Sequence, residues 1–129
     1  MGRIAPTADE IEEMARAAMA RLPQAFRAHL EGVVLKVEEF ADDDVLDELG
    51  IDDPFDLTGL YTGVAVGEKS MAAGGQLPDM IHLFRRALLE EWIETGVTLE
   101  ALVSHVLVHE VGHHFGLSDE AMHALEDEA

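Results

Sequence analysis

The first quarter of the chain alternates apolar and polar residues with the spacing of an amphipathic helix. Thr7 and Glu10 form a capping box, in which each side chain accepts a hydrogen bond from the other residue's backbone N–H at a helix start. Four apolar residues then share one helical face: Ile11, Met14, Ala18 and Leu22. Because proline suits the first turn of a helix, Pro23 predicts a second, short helix that runs to about His29.

Three later stretches have the β-branched or alternating composition of strands. They are Val33 to Phe40, Leu60 to Val66 and Met80 to Phe84. Gly63 lies inside the second stretch and indicates a bulge or a close approach by other backbone, since glycine otherwise weakens a strand interior. Three glycines, a serine and a proline mark Gly67 to Asp79 as a loop, and this loop is a candidate lid over a binding site.

Two short helices accompany these strands. Asp42 to Leu49 predicts an acidic helix that stops at Gly50. Its run of three aspartates fits a helix N-terminus better than a calcium-binding loop, because acidic side chains stabilise the positive end of the helix dipole. Arg86 to Glu94 predicts a second helix, which Gly96 ends.

The most apolar part of the chain lies between Thr98 and Asp119. Thr98 is placed to cap a helix, and seven of the eleven residues from Ala101 to Val111 are apolar. A surface helix would confine its apolar residues to one stripe, so this helix is expected to be packed on most of its sides. A last helix, capped by Ser118 or Asp119, is predicted to run to about Asp127.

This apolar helix contains His109-Glu110-Val111-Gly112-His113, an H-E-x-x-H motif. Residues four apart on a helix lie above one another, about 5–6 Å apart at Cβ, so both histidines can offer nitrogens to one metal ion. Burying two imidazoles and a carboxylate is costly unless they are paired or bind a metal. Glu110 flanks such an ion and can act as a general base toward water. The motif predicts a zinc site with Glu110 as its catalytic residue; two core histidines satisfied by backbone or water are the alternative.

A catalytic zinc takes three protein ligands and keeps one position open, so a third ligand is needed. Gly116 can end the helix in the left-handed conformation, and the chain that follows can bring Asp119 back to the metal. Asp119 has a second interpretation, because Ser118-Asp119 is also a good helix N-cap. Three other residues remain open for the third position: Glu120, His114 and His123. His105, one turn before His109, is expected to be a buried polar residue near the site rather than a ligand.

Composition indicates the number of domains, the kinds of metal ligand and the cellular location to expect. A chain of 129 residues with 48% hydrophobic residues is expected to form one domain, spanning residues 1–129. The absence of cysteine excludes disulfides and thiolate zinc ligands. No stretch has the about 18 apolar residues of a membrane span, and the N-terminal residues lack the apolar core of a signal peptide, so a cytoplasmic location is expected.

The formal net charge of −19 limits the class of partner. It opposes nucleic-acid binding, because the phosphate backbone would be repelled. It favours basic peptides as substrates or partners through electrostatic steering, although a solvated acidic surface is the simpler interpretation. The expected partner is therefore a peptide or protein, and neither a nucleic acid nor a membrane.

The motif and its surroundings resemble the zincin superfamily of metallopeptidases. HEVGHHFGLSD fits the pattern H-E-x-x-H-x-x-G-x-x-D, which is like the metzincin signature with aspartate in place of the third histidine. More closely, the chain resembles a bacterial family of minimal zincin-like proteins of about this length. Four segments carry that resemblance: Leu22-Pro23, Gly59-Leu60-Tyr61 with Gly63, Leu77-Pro78-Asp79 through Arg86, and His109 through Gly116. The sequence departs from the metzincins in having no methionine turn at the usual distance after the motif.

The resemblance implies a compact α+β fold in which a small mixed sheet of three to four strands packs on the motif helix, with further helices at the N- and C-terminal ends. It implies zinc ligation by His109, His113 and Asp119, with Glu110 catalytic. It also implies that Met80 to Phe84 is the edge strand along which an extended peptide would lie.

Two functions are compatible with these residues. The first is a zinc-dependent metallopeptidase, a hydrolase that acts on peptide bonds. The second is a catalytically silent, metal-stabilised module that binds a protein partner through its acidic face. Replacing Glu110 with glutamine separates them, because the substitution removes the base from an enzyme and changes nothing functional in a binding module.

Overall fold

The structure is a computed structural model of the chain, and it describes residues 5–63 and 79–116. Within those residues there are five α-helices and three β-strands. The helices are α1 (Ala8–Ala20), α2 (Gln24–Arg27), α3 (Asp43–Leu49), α4 (Arg85–Thr95) and α5 (Leu99–Phe115), and 3₁₀ turns occupy Ala28–Leu30 and Pro54–Asp56. The strands are β1 (Val34–Glu38), β2 (Gly59–Thr62) and β3 (Met80–Phe84). The predicted α+β class and its small mixed sheet are confirmed.

The three strands form one sheet in the order β1-β3-β2. β3 runs parallel to β1 and antiparallel to β2, so that Ile81 lies opposite Leu35 on one side and Tyr61 on the other. The prediction that Met80–Phe84 is an edge strand is therefore wrong. This strand is central because it pairs along both sides, and its side chains Ile81 and Leu83 are fully buried. In the described part of the chain, β1 and β2 form the two edges of the sheet.

Helix α5 is the centre of the main hydrophobic core. It packs on α1, α4 and the sheet, and six of its core residues are Leu102, Val103, Val106, Leu107, Val108 and Val111. Each such side chain contributes roughly 1.5–3 kcal/mol when fully buried. Packing on most sides, as its apolar composition predicted, makes α5 the rigid support for the motif. None of the helices in residues 5–63 and 79–116, α5 with its 17 residues included, is long and apolar enough to cross a membrane.

The helix ends follow local sequence signals. At the start of α1, Glu10 N donates to Thr7 Oγ1 over 3.1 Å and Thr7 N donates to Glu10 Oε1 over 2.9 Å, so the capping box is present. At the start of α5, Ala101 N donates to Thr98 Oγ1 over 3.1 Å. Helices α3 and α4 end at Gly50 and Gly96, as predicted.

Strand boundaries differ from their predictions by a few residues. β1 stops at Glu38 because the next residue turns toward α4: the Glu39 carbonyl accepts from Arg86 N over 3.1 Å, and its carboxylate lies 2.8 Å from Arg85 Nη1. β2 begins at Gly59, and the predicted continuation to Val66 lies outside the described residues beyond Gly63. The predicted loop up to Pro78 and the predicted last helix also lie outside them.

The outer face of the sheet, opposite α5, carries a polar row across all three strands. His82 Nδ1 lies 2.8 Å from Glu38 Oε1 on β1, and His82 Nε2 lies 3.2 Å from Thr62 Oγ1 on β2. The sequence offered no partner for His82, because both contacts come from strands far away in the chain. His82 thus links the strands of the sheet.

Candidate metal centre

The two motif histidines lie on the side of α5 that is least covered by the core. The His113 side chain is 54% exposed and His109 is half-buried, whereas the Glu110 side chain between them is only 9% exposed. One face of α5 therefore combines two reachable imidazoles with an inward-facing carboxylate. This is the arrangement that the H-E-x-x-H spacing predicted for a helix.

A cavity of about 250 Å³ opens beside the motif. Its described lining comes from α5, α4 and the segment before β2, and consists of Thr58, Glu91, His105, Val106, His109 and Glu110. The ring centroids of His105 and His109 are 4.5 Å apart, with the planes inclined at 63°. His105 thus shares the cavity wall with the motif, in agreement with its predicted place near the site.

The environment of Glu110 favours proton uptake. Burial raises the pKa of the Glu110 carboxyl above its usual value, whereas the neighbouring His113 and a backbone hydrogen bond from Tyr61 oppose that rise. Glu110 Oε1 lies 3.2 Å from His113 Nδ1. A carboxylate that is poorly hydrated and borders a cavity is chemically suited to accept a proton from a molecule in that cavity.

Gly59 lets β2 lie directly against the motif helix. A Cβ atom at this position would be 2.6 Å from Val106 Cγ1 and 3.4 Å from the Glu110 side chain. The first distance is a clash, so any larger residue would push β2 away from α5. Sequence reasoning quoted Gly59 only as part of the family resemblance; a glycine that opens a strand was the available signal of a close approach.

His114, considered as a substitute ligand, lies on a different side of α5 from His113. Its side chain is 1% exposed, and its Nδ1 is 3.2 Å from Oδ2 of Asp79, whose side chain is 3% exposed. The Tyr61 ring packs against it at 5.7 Å between centroids. His114 therefore belongs to a buried acid–histidine pair, which sequence reasoning missed because Asp79 is remote in the chain.

The close approach predicted for Gly63 involves this same aspartate. Gly63 has a φ of 139°, and a Cβ there would lie 2.9 Å from Asp79 Cγ and 3.0 Å from Asp79 Cα. The end of β2 and the start of β3 thus meet at a point where only glycine fits.

The described residues supply two of the three protein ligands that a catalytic metal site needs. His109 and His113 supply two imidazoles one turn apart, and the contact of His113 Nδ1 with Glu110 leaves Nε2 to coordinate. Gly116, with a φ of 68°, ends α5 one turn after the motif, as predicted. Residues 5–63 and 79–116 contain no group of three or more His, Asp or Glu arranged to bind a metal. The predicted third ligand Asp119 and the alternatives Glu120 and His123 lie outside the described residues.

Comparison with known proteins gives one family. A family model described as zincin-like metallopeptidase matches residues 30–129, which include the whole sheet, α5 and the motif. The match covers 100 of the 129 residues and starts after α2. A search of curated proteins found no match.

Proposed function

Because the chain belongs to the zincin-like metallopeptidase family, we propose that it is a zinc-dependent peptidase with Glu110 as its general base. One observation supports this most strongly: the Glu110 carboxylate, which is 9% exposed, borders a cavity, and it lies on α5 between two histidines spaced one helical turn apart. Burial of the Glu110 carboxylate would be unfavourable in a helix that merely packs in a core.

His109 and His113 would bind the metal through their imidazoles, with Asp119 as the proposed third ligand. A zinc ion held there would supply Lewis acidity toward water and toward a peptide carbonyl. Glu110 removes the proton from the attacking water and passes it to the amine that leaves. The backbone of Tyr61 and the ring of His113 orient the Glu110 carboxylate for both transfers.

Burial of Glu110 suits this double role. A general base must accept a proton in the first half of the reaction and release it in the second, which is most efficient when its pKa lies nearer the working pH. Desolvation moves the pKa of Glu110 upward, in that direction.

Replacing Glu110 with glutamine tests the proposal. Glutamine keeps the shape of the side chain and removes its basicity, so peptide hydrolysis should fall by about 10²- to 10⁴-fold while zinc content stays unchanged. The measurement is cleavage of a peptide library by the zinc-loaded protein, followed by mass spectrometry. A parent protein that binds zinc but cleaves nothing would instead support the metal-stabilised binding module, and Glu110→Gln with full activity would assign the base to another residue.

A further inference from the structure

Glu91 occupies an unusual position on α4. Ala87 and Leu88, one turn earlier, are fully buried, so the helical period directs Glu91 toward the same inner side. A glutamate on the inward stripe of a helix is unfavourable unless it contacts a polar partner. Glu91 lines the cavity beside the motif, together with His105, His109 and Glu110 of α5.

The cavity is acidic and of the size of one side chain. Its volume of about 250 Å³ is below the roughly 300–1,000 Å³ typical of small-molecule pockets, so it suits a single residue of a bound peptide. Its described lining includes two carboxylates, Glu91 and Glu110, and no lysine or arginine. The Glu91 side chain forms no ion pair with another described residue.

The surroundings of Glu90, the residue before Glu91 on α4, are also acidic. Desolvation and the neighbouring carboxylates of Glu94, Asp53 and Asp56 raise the pKa of Glu90, the residue before Glu91. The described lysine and arginine residues that form ion pairs do so with Glu12, Glu38 and Glu39, which do not line this cavity. The carboxylates that a cation would meet in the described lining of the cavity are those of Glu91 and Glu110.

We propose that Glu91 determines specificity by accepting the cationic side chain of a lysine or arginine next to the scissile bond of the substrate. This inference rests on the proposed function, whose site it deepens. The alkyl stem of such a residue can pack on Val106, the apolar part of the lining, while its charged end reaches the Glu91 carboxylate.

Binding to a non-hydrolysing variant tests the proposal without requiring turnover. The protein is the zinc-loaded Glu110→Gln variant, and the probes are N-acetylated fluorescent peptides that carry lysine or glutamine at successive positions. Acetylation leaves the side chain as the only added cation. By fluorescence anisotropy, lysine at one position should strengthen binding by about tenfold over glutamine, the worth of a single hydrogen bond to a charged group.

Three further substitutions in that background separate local recognition from general charge. Glu91→Gln should reduce the preference to about onefold, and Glu91→Lys should make the glutamine peptide the better ligand. Glu48→Gln removes the same charge from the exposed side of α3 and should leave the preference intact. Circular dichroism establishes that each variant is folded.

Three results would overturn the inference: equal binding of both peptides, a preference that survives Glu91→Gln, or an equal loss in Glu48→Gln. Its failure is distinct from failure of the proposed function. A parent that cleaves peptides without regard to lysine contradicts only the role of Glu91. A protein that binds lysine peptides through Glu91 but cleaves nothing contradicts only the peptidase.

Discussion

At the level of single residues, α5 carries polar groups where a packed helix accommodates them least. Glu110 and His114 are both almost completely buried, and each has a charged or polar neighbour, namely His113 and Asp79. The two pairs have different places in the fold: the first borders the cavity, and the second lies inside the core. The adjacent histidines His113 and His114 thus have different neighbours, because successive helical residues point about 100° apart.

Replacing Asp119 with alanine tests the proposed third ligand. Purified parent protein should contain about one zinc ion per chain, and the variant should lose most of it on dialysis, since a catalytic zinc is bound by three protein side chains. Elemental mass spectrometry measures the metal directly. Asp127→Ala, which removes the same charge from the same segment, is the matched control and should retain zinc. Zinc retained in Asp119→Ala would transfer the ligand role to Glu120 or His123, because His114 is buried against Asp79.

Replacing Gly59 with alanine tests the contact between β2 and α5. The new Cβ would lie 2.6 Å from Val106 Cγ1, and such overpacking costs about 1–3 kcal/mol of unfolding free energy. Gly32→Ala is the control, because nothing lies within 4 Å of a Cβ there, and it should change stability by less than about 0.5 kcal/mol. Urea unfolding of both variants gives the comparison.

A double variant identifies the cause of that loss. If the clash with Val106 is responsible, Val106→Ala should cost less in the Gly59→Ala background than in the parent, with a coupling energy of about 1 kcal/mol. Strictly additive effects would contradict the proposed contact.

The site residues divide by whether their partners are near in sequence. His109, Glu110 and His113 could be predicted because helical spacing alone brings them together. Gly59 and Glu91 could not, since each matters through a residue of α5 that only the tertiary packing places beside it.

At the level of elements, the ends of the helices were predicted well from local sequence signals. The order of the strands in the sheet was predicted poorly. Capping by Thr7 and Thr98 and termination at glycine are local properties, so the helix bounds of α1, α3 and α5 followed from a few neighbouring residues. The place of β3 at the centre of the sheet depends on pairing with two distant strands. No pattern within Met80–Phe84 distinguishes a central strand from an edge strand that is buried on one face.

Asp79, the residue before β3, forms a buried pair with His114 of α5. Breaking this pair should destabilise the contact between β3 and α5. Asp79→Ala leaves His114 buried without its carboxylate partner, at a cost of about 3–5 kcal/mol in unfolding free energy. Glu12→Ala removes an exposed partner of Arg16, 2.9 Å away, and should cost less than about 1 kcal/mol. Equal losses of unfolding free energy in the two variants would show that the buried pair contributes no more to stability than the exposed pair.

At the level of the whole molecule, acidic residues greatly outnumber basic ones: the chain contains 27 aspartates and glutamates and 8 lysines and arginines. Several described acidic residues lie close together around α4, so repulsion between like charges opposes folding there. The acidity that is proposed to attract a basic substrate therefore lowers the stability of the chain that carries it.

Added salt should consequently stabilise this protein. Raising NaCl from about 10 mM to about 1 M shortens the Debye length from roughly 30 Å to 3 Å, which screens the net repulsion more than the few exposed ion pairs. The Tm measured by circular dichroism should rise. A fall in Tm would mean that attractive pairs outweigh repulsion.

The central place of β3 also determines how the chain exchanges its amide hydrogens with solvent. A strand that is paired on both sides and covered by α5 releases its amides only when the sheet opens as a whole, so the slowest amides of β3 report global unfolding. A metal that binds only the folded chain lowers the population of the open state by the factor 1 + [L]/Kd, and exchange through that state slows accordingly. Deuterium uptake at the amides of Ile81 and Leu83, in the strand that packs on α5, thereby becomes a measure of zinc affinity that needs no substrate.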